Sequence, residues 1–105
     1  MKLINLTPHP INLVGVGEIK PSGVIARLEE TTQKMGGVYV ENVYIPLIKK
    51  KLGRIINLPT PEKYTIYVVS LPVAQAAHRP DVFAIGESIR DEKGNVVGAK
   101  SLATF

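Results

Sequence analysis

Tyr64-Thr65-Ile66-Tyr67-Val68-Val69-Ser70-Leu71-Pro72-Val73-Ala74-Gln75-Ala76-Ala77-His78-Arg79-Pro80 changes character near its middle, and that change decides the fold. The first six residues are β-branched or aromatic and, beyond Thr65, apolar on both faces. That is the pattern of a strand covered above and below at the centre of a sheet. From Ser70 onward alanine replaces the β-branched residues. Ser70 takes the place of an N-cap, Pro72 falls in the first turn, and His78 and Arg79 sit where the end of a helix favours cations. Pro80 stops the run. The expectation is a central strand passing into one short helix over about residues 71–79.

Outward from this pivot the signals are mostly β. Leu3-Ile4-Asn5-Leu6 and Ile11-Asn12-Leu13-Val14 are β-prone runs separated by Pro8 and Pro10, which forbid a helix and remove two ladder donors. Pro21-Ser22-Gly23 reads as a turn into a half-buried strand over Val24–Glu29. Thr31 to Gly37 reads as a polar connection, and Glu41-Asn42 as a two-residue turn between Val38-Tyr39-Val40 and Val43-Tyr44-Ile45. The segment from Ile45 to Leu58 reads as a further hairpin with Lys49-Lys50-Lys51 at its tip, in competition with a short helix over Leu47–Leu52. Asp81–Gly86 leads to a last hairpin, Glu87–Arg90 and Val96–Leu102, turning through Asp91-Glu92-Lys93-Gly94-Asn95. The sum is one α+β, mainly β domain over residues 1–105: a small twisted sheet or a partly closed barrel with one short helix.

Composition sets the outer limits on function. The chain is 45% apolar and 21% charged, within the range of ordinary folded domains rather than disordered chains. It has no cysteine, which removes disulfides, thiolate metal sites and a Cys nucleophile. Its two histidines lack His-x-x-x-His or Glu-x-x-His spacing, so no metal site and no cofactor are expected. No apolar run approaches the ~20 residues of a membrane-spanning helix. Lys2 followed by Leu3-Ile4-Asn5-Leu6 is too short and polar for a signal-peptide core, so the expected location is the cytoplasm and no membrane partner is expected. The net charge of +4 leaves nucleic acid open as a partner, although no stripe of aromatics interleaved with Arg and Lys supports stacking on bases.

Three places carry candidate chemistry. In Thr7-Pro8-His9-Pro10 each residue before a proline is driven into the extended region, so Thr7 and His9 point broadly the same way from a stiff backbone. His9 is the candidate proton shuttle or anion contact, against the simpler reading that Thr7 closes a turn and the His9 side chain hydrogen-bonds a nearby carbonyl across the corner. Ser70 lies where a central strand meets a helix, a place that suits an anion, against the simpler reading of a cap. Arg79 and Arg90 are candidate anion clamps, against pairing with Asp81 and Asp91. The expected ligand-binding set is therefore Thr7, His9, Ser70, Arg79 and Arg90, with no role assigned to Lys49–Lys51.

Asn5-Leu6-Thr7-Pro8-His9-Pro10 and the Arg-Asp-Glu-x-Gly-x-x-x-Gly ending at Arg90–Gly98 resemble a group of short uncharacterised proteins borne by bacteriophages, prophages and other mobile elements. Leu58-Pro59, Tyr67-Val68-Val69-Ser70, Val73-Ala74, Ala77, Arg79 and Asp81 extend the resemblance, whereas Gly15–Leu52 carries no matching motif. The resemblance implies a setting in which small proteins without a catalytic constellation work by binding. The leading expectation is a non-enzymatic binding protein and homo-oligomer that sequesters an anionic or nucleotide-like ligand or a host protein. The alternatives are a metal-independent phosphoesterase or nuclease with His9 as base, and a structural β module that assembles with itself through exposed edges.

Overall fold

In the computed structural model, which describes residues 1–105, the pivot is confirmed. Strand β6 (Thr65–Val68) runs parallel to β1 (Lys2–Asn5) on one side and to β7 (Val82–Ile85) on the other. Helix α1 (Leu71–Ala77) connects β6 to β7, the crossover that two parallel neighbours require. The short strand β10 (Leu102–Ala103) completes this central sheet antiparallel to β7, in the order β1-β6-β7-β10. A second sheet, β3-β2-β9-β8, is built from β2 (Ile11–Leu13), β3 (Gly17–Ile19), β8 (Ser88–Arg90) and β9 (Val96–Ala99). The sheets stay open and do not close into a barrel, so of the two expected architectures the small sheet stands.

Alternation along β6 organises the layers. Tyr67 and Val69 face the helix, where they pack with Val73, Ala74, Val82, Ala84, Leu6 and Ala26. Val68 faces the other way and packs with Ile11 and Ala99 of the second sheet. Both clusters are small, with 13 of 105 residues buried, so each member carries a large share of the stability. The chain reverses at Gly94 with φ +83°, as the final hairpin requires, and Asp91 Oδ1 accepts the N–H groups of Lys93 and Asn95 at 2.9 Å.

The helix ends two residues before the expected boundary. His78 takes a left-handed φ of +49° as C-cap, so neither it nor Arg79 belongs to the last helical turn. Ser70 holds the N-cap position but makes no side-chain cap bond.

The larger correction concerns residues 24–58. Strand β4 (Arg27–Val40) and strand β5 (Val43–Ile56) form one hairpin of 14 residues per arm, reversing at Glu41-Asn42, where φ is +48° and +66°. This turn is the one expected. The polar stretch Thr31–Gly37 is not a connection, however, and Lys49-Lys50-Lys51 are neither a hairpin tip nor helical. They lie within β5, opposite Gln33, Thr32 and Thr31. Val24 and Ile25 precede the strand and are exposed. At the root of the hairpin Leu28 and Ile55 pack on the helix-side core, and beyond them the hairpin leaves the body as a free ribbon. The ribbon gives the molecule a radius of gyration of 17.4 Å, against about 13 Å for a compact domain of ~100 residues.

Val73 is 2% exposed and inside the helix-side cluster, whereas Gln75 on the same helix is exposed. Val73→Ala should cost about 2 kcal/mol, from two lost methyl groups and the gap they leave, and Gln75→Ala less than about 0.5. Urea unfolding of both variants checks this, and equal effects would contradict the assignment of the helix's buried face.

Candidate functional site

The carboxyl ends of parallel strands β1, β6 and β7 open onto a common cleft of about 210 Å³, the position where open α/β sheets place ligands. Three of the five expected site residues meet there. Thr7 and His9 enter from the corner after β1, and Ser70 from the junction of β6 and α1, over an apolar floor that includes Val69, Leu71 and Ile85. A neighbouring groove of about 220 Å³ shares Pro10, Ile11 and Ile85 and runs on past Glu18 to Val96 and Val97.

The corner is held by a residue that the sequence reading passed over. Asn5 is 1% exposed, and its side chain uses its full hydrogen-bonding capacity. Nδ2 donates to the carbonyls of His9 at 2.8 Å and Ile19 at 3.1 Å. Oδ1 accepts from the Thr7 backbone N–H at 2.9 Å and from the Thr7 hydroxyl at 2.6 Å. The local signal for this Asx-turn was Asn5 placed two residues before Thr7. The Thr7 hydroxyl is thereby engaged in closing the corner, as the simpler reading had it, but the carbonyl contact expected of the His9 ring does not form. The His9 imidazole is exposed and makes no side-chain hydrogen bond, and the Ser70 hydroxyl is exposed and unengaged by the helix. No other acid or base lines the cleft beside His9.

The two arginines are elsewhere. Arg79 lies past the far end of α1, where its guanidinium grips Asp81 in two parallel bonds of 3.0 and 2.6 Å and donates to the Pro59 carbonyl at 2.9 Å. It also lies 6.0 Å from the Tyr67 ring centroid, within cation–π range. Asp81 precedes β7, so this clasp sits at the amino end of the strand whose carboxyl end forms the cleft. Arg90 donates to the Gly94 carbonyl at 2.8 Å and braces the last hairpin turn. The expected gathering of both guanidinium groups around His9 does not occur, because each has a nearer structural partner. What remains is a shallow, mainly apolar cleft with one free imidazole and one free hydroxyl at its rim. It can seat a small apolar group, but it has no fixed cation for an anion.

The Arg79 hydrogen bonds hold the Asp81 carboxyl below its ordinary value of 3.8, against the opposing effect of its burial. Burial, followed by the nearby Glu62 and Asp81 charges, raises the Tyr67 phenol, which donates to the Thr60 carbonyl at 3.2 Å.

The chain matches no protein-family model, no curated protein and no solved structure. Its functional reading therefore rests on its own residues and geometry.

Two outcomes follow from the two clasps. Asn5→Ala removes the partner of the Thr7 N–H and the side-chain donor to the Ile19 carbonyl, leaves the His9 carbonyl only the Thr7 hydroxyl at 3.0 Å, and should cost about 2–4 kcal/mol in urea unfolding. A cost under 0.5 would mean that the corner holds without it. Asp81 has a folded-state value below its unfolded one, so its contribution is fully present above about pH 4 and fades as the pH falls through the folded value. Asp81→Asn should therefore be less stable than the parent at pH 7 by about 1–3 kcal/mol, and the gap should close in acid. A gap unchanged down to pH 2 would contradict the ion pair's role.

Proposed function

We propose that this chain is a non-enzymatic binding protein whose working element is the β4–β5 arm, presented to another protein chain by a small rigid body. The arm's exposed apolar surface carries this reading. Nearly half of the large apolar side chains that the fold leaves exposed lie on it, between Met35 and Leu52. A two-stranded ribbon alone in water is marginal, and contiguous exposed apolar surface marks an interaction site. The arm also contributes no fully buried residue to either core cluster. A binding reading fits the mobile-element setting implied by the opening and closing motifs, with action in the cytoplasm.

The cleft at Thr7, His9 and Ser70 supports a subsidiary contact for a small apolar group more than it supports catalysis. A single exposed histidine without a second acid or base supplies at most a ~10²–10⁴-fold acceleration.

Replacing Thr31–Lys51 by Asn-Gly, a turn suited to joining the Glu30·Leu52 pair, should leave a folded body. Its thermal midpoint should lie within a few degrees of the parent's, because the core is untouched. If the shortened chain unfolds, the arm is part of the fold and this reading fails. Steady turnover of cyclic nucleotides, RNA or DNA by the intact chain would overturn the non-enzymatic reading.

A further inference from the structure

The register of the arm sorts its side chains onto two unlike faces. Val40 pairs with Val43 and Val38 with Ile45, and paired residues share a face. Leu47, two residues beyond Ile45, continues that face opposite the irregularity between Lys34 and Gly37. The result is a row of five aliphatic side chains without a polar interruption, each between 41% and 58% exposed. The reverse face carries Tyr39 against Tyr44, their rings edge-on at 5.4 Å, and Gly37 against Pro46. The Tyr44 ring lies over Gly37 where a Cβ would stand, so the aromatic face already covers part of itself. The aliphatic face has no such cover.

Charge along the arm is ordered as well. Glu29 pairs with Arg54 at 3.3 Å and Glu30 with Lys50 at 3.2 Å, both near the root. Beyond them the arm has one acid, Glu41, at the turn, and it forms no ion pair. Lys49 and Lys51 share the aliphatic face on its root side and are equally unpaired. From tip to root the order along the arm is thus an acid at the turn, the aliphatic row, then bases.

Building on the reading of the arm as the working element, we propose that two copies of this chain pair through the aliphatic faces of their arms. The arms are antiparallel about a twofold axis through the Val38·Ile45 row. That row is the middle of the aliphatic stretch, so a twofold there lays each row on its twin. Glu41 lies about 10 Å from the axis and Lys49 about 13 Å on the other side, at ~3.3 Å per residue, within the reach of a lysine side chain. The acid of each tip therefore meets Lys49 of its partner. Parallel arms would set lysine against lysine. The contact is self-complementary, as an isologous pair requires. A nucleic acid would engage the lysines and leave the aliphatic row in water. Edge-to-edge pairing is disfavoured because Pro46 lacks a donor, the ladder is irregular next to it, and three consecutive lysines crowd the β5 edge.

The stretch is about five residues long on a ribbon ~10 Å wide, so the two aliphatic rows together cover roughly 330 Å². That lies well below the ~1,200 Å² at which stable complexes begin, so the pair is reversible and depends on its charges. Sedimentation equilibrium of the intact chain over micromolar to millimolar concentrations should show exchange between 11.4 kDa and about twice that mass, weakened by salt. Val38→Thr with Ile45→Thr should weaken association at least tenfold, while Tyr39→Thr with Tyr44→Thr should change it less than threefold. Glu41→Lys and Lys49→Glu should each weaken it, and the two together should restore it. A monomer at every concentration would overturn the second-copy assignment without touching the arm-shortening result, which tests the reading beneath it. A dimer indifferent to Val38→Thr/Ile45→Thr, or a charge exchange that fails to restore association, would overturn the proposed geometry.

Discussion

Everything in the body depends on one strand having no wet face. β6 and the residue that follows it send Tyr67 and Val69 into the helix-side cluster and Val68 into contact with the second sheet. A strand buried on both sides needs a layer above and a layer below, and a parallel neighbour reached through a covering helix supplies one of them. The chain beyond Val69 is that helix, and the residues flanking the Thr-Pro-His-Pro corner, Leu6 and Ile11, reach the two clusters on opposite sides of β6. The small core is arranged around this strand, with Val69 packed in one layer and Val68 in the other.

Two polar clasps fix the ends of the same sheet. At the carboxyl end Asn5 closes the corner after β1, binding Thr7 and His9 locally and Ile19 of β3 across 14 residues. At the amino end Arg79 ties the segment after α1 to Asp81 before β7 and to Pro59 ahead of β6. Both satisfy polar groups that would otherwise be stranded near the core, so their loss exposes an uncompensated partner rather than simply deleting a contact. This explains why residues that look chemical in a one-dimensional reading are structural here. Arginine and threonine suit a binding site because they hydrogen-bond well, and here the fold uses that ability internally.

What could be read from the chain and what could not follows from how locally each feature is encoded. The β6-to-α1 switch, the Glu41-Asn42 reversal and the final turn at Gly94 are each specified within a few residues, by β-branching, by tolerance of positive φ and by proline placement. The convergence of Thr7, His9 and Ser70 was half legible, because each lies at the end of a parallel strand or beside one, but the pairing of β1 with β6 is a long-range event. The distal hairpin about Glu41-Asn42 was legible, but the length of the arm was not, for a physical reason. Binary patterning marks a strand clearly when one face is dry, and over Thr31–Gly37 and Lys49–Lys51 polar residues and glycines meet solvent on both faces, so no apolar alternation marks the strands there. Asn5's local turn to Thr7 is encoded within three residues, and only its bond to the Ile19 carbonyl depends on tertiary structure.

The separation of the arm from the core bears on how the protein can act. A body stabilised by β6 and its two clusters gains little from residues beyond Leu28 and Ile55, so the distal arm is free of the demands of packing. Its composition is then unexpected for a segment that stays in water, since an isolated exposed hairpin is best kept soluble by polar residues on both faces. Instead, aliphatic side chains concentrate on one distal face and unpaired lysines lie on its root side. In the proposed pairing, lysines next to the apolar face would repel a parallel neighbour, while the acid at the turn would admit an antiparallel one, so the same charges that keep the free arm hydrated would also select the closed, twofold arrangement.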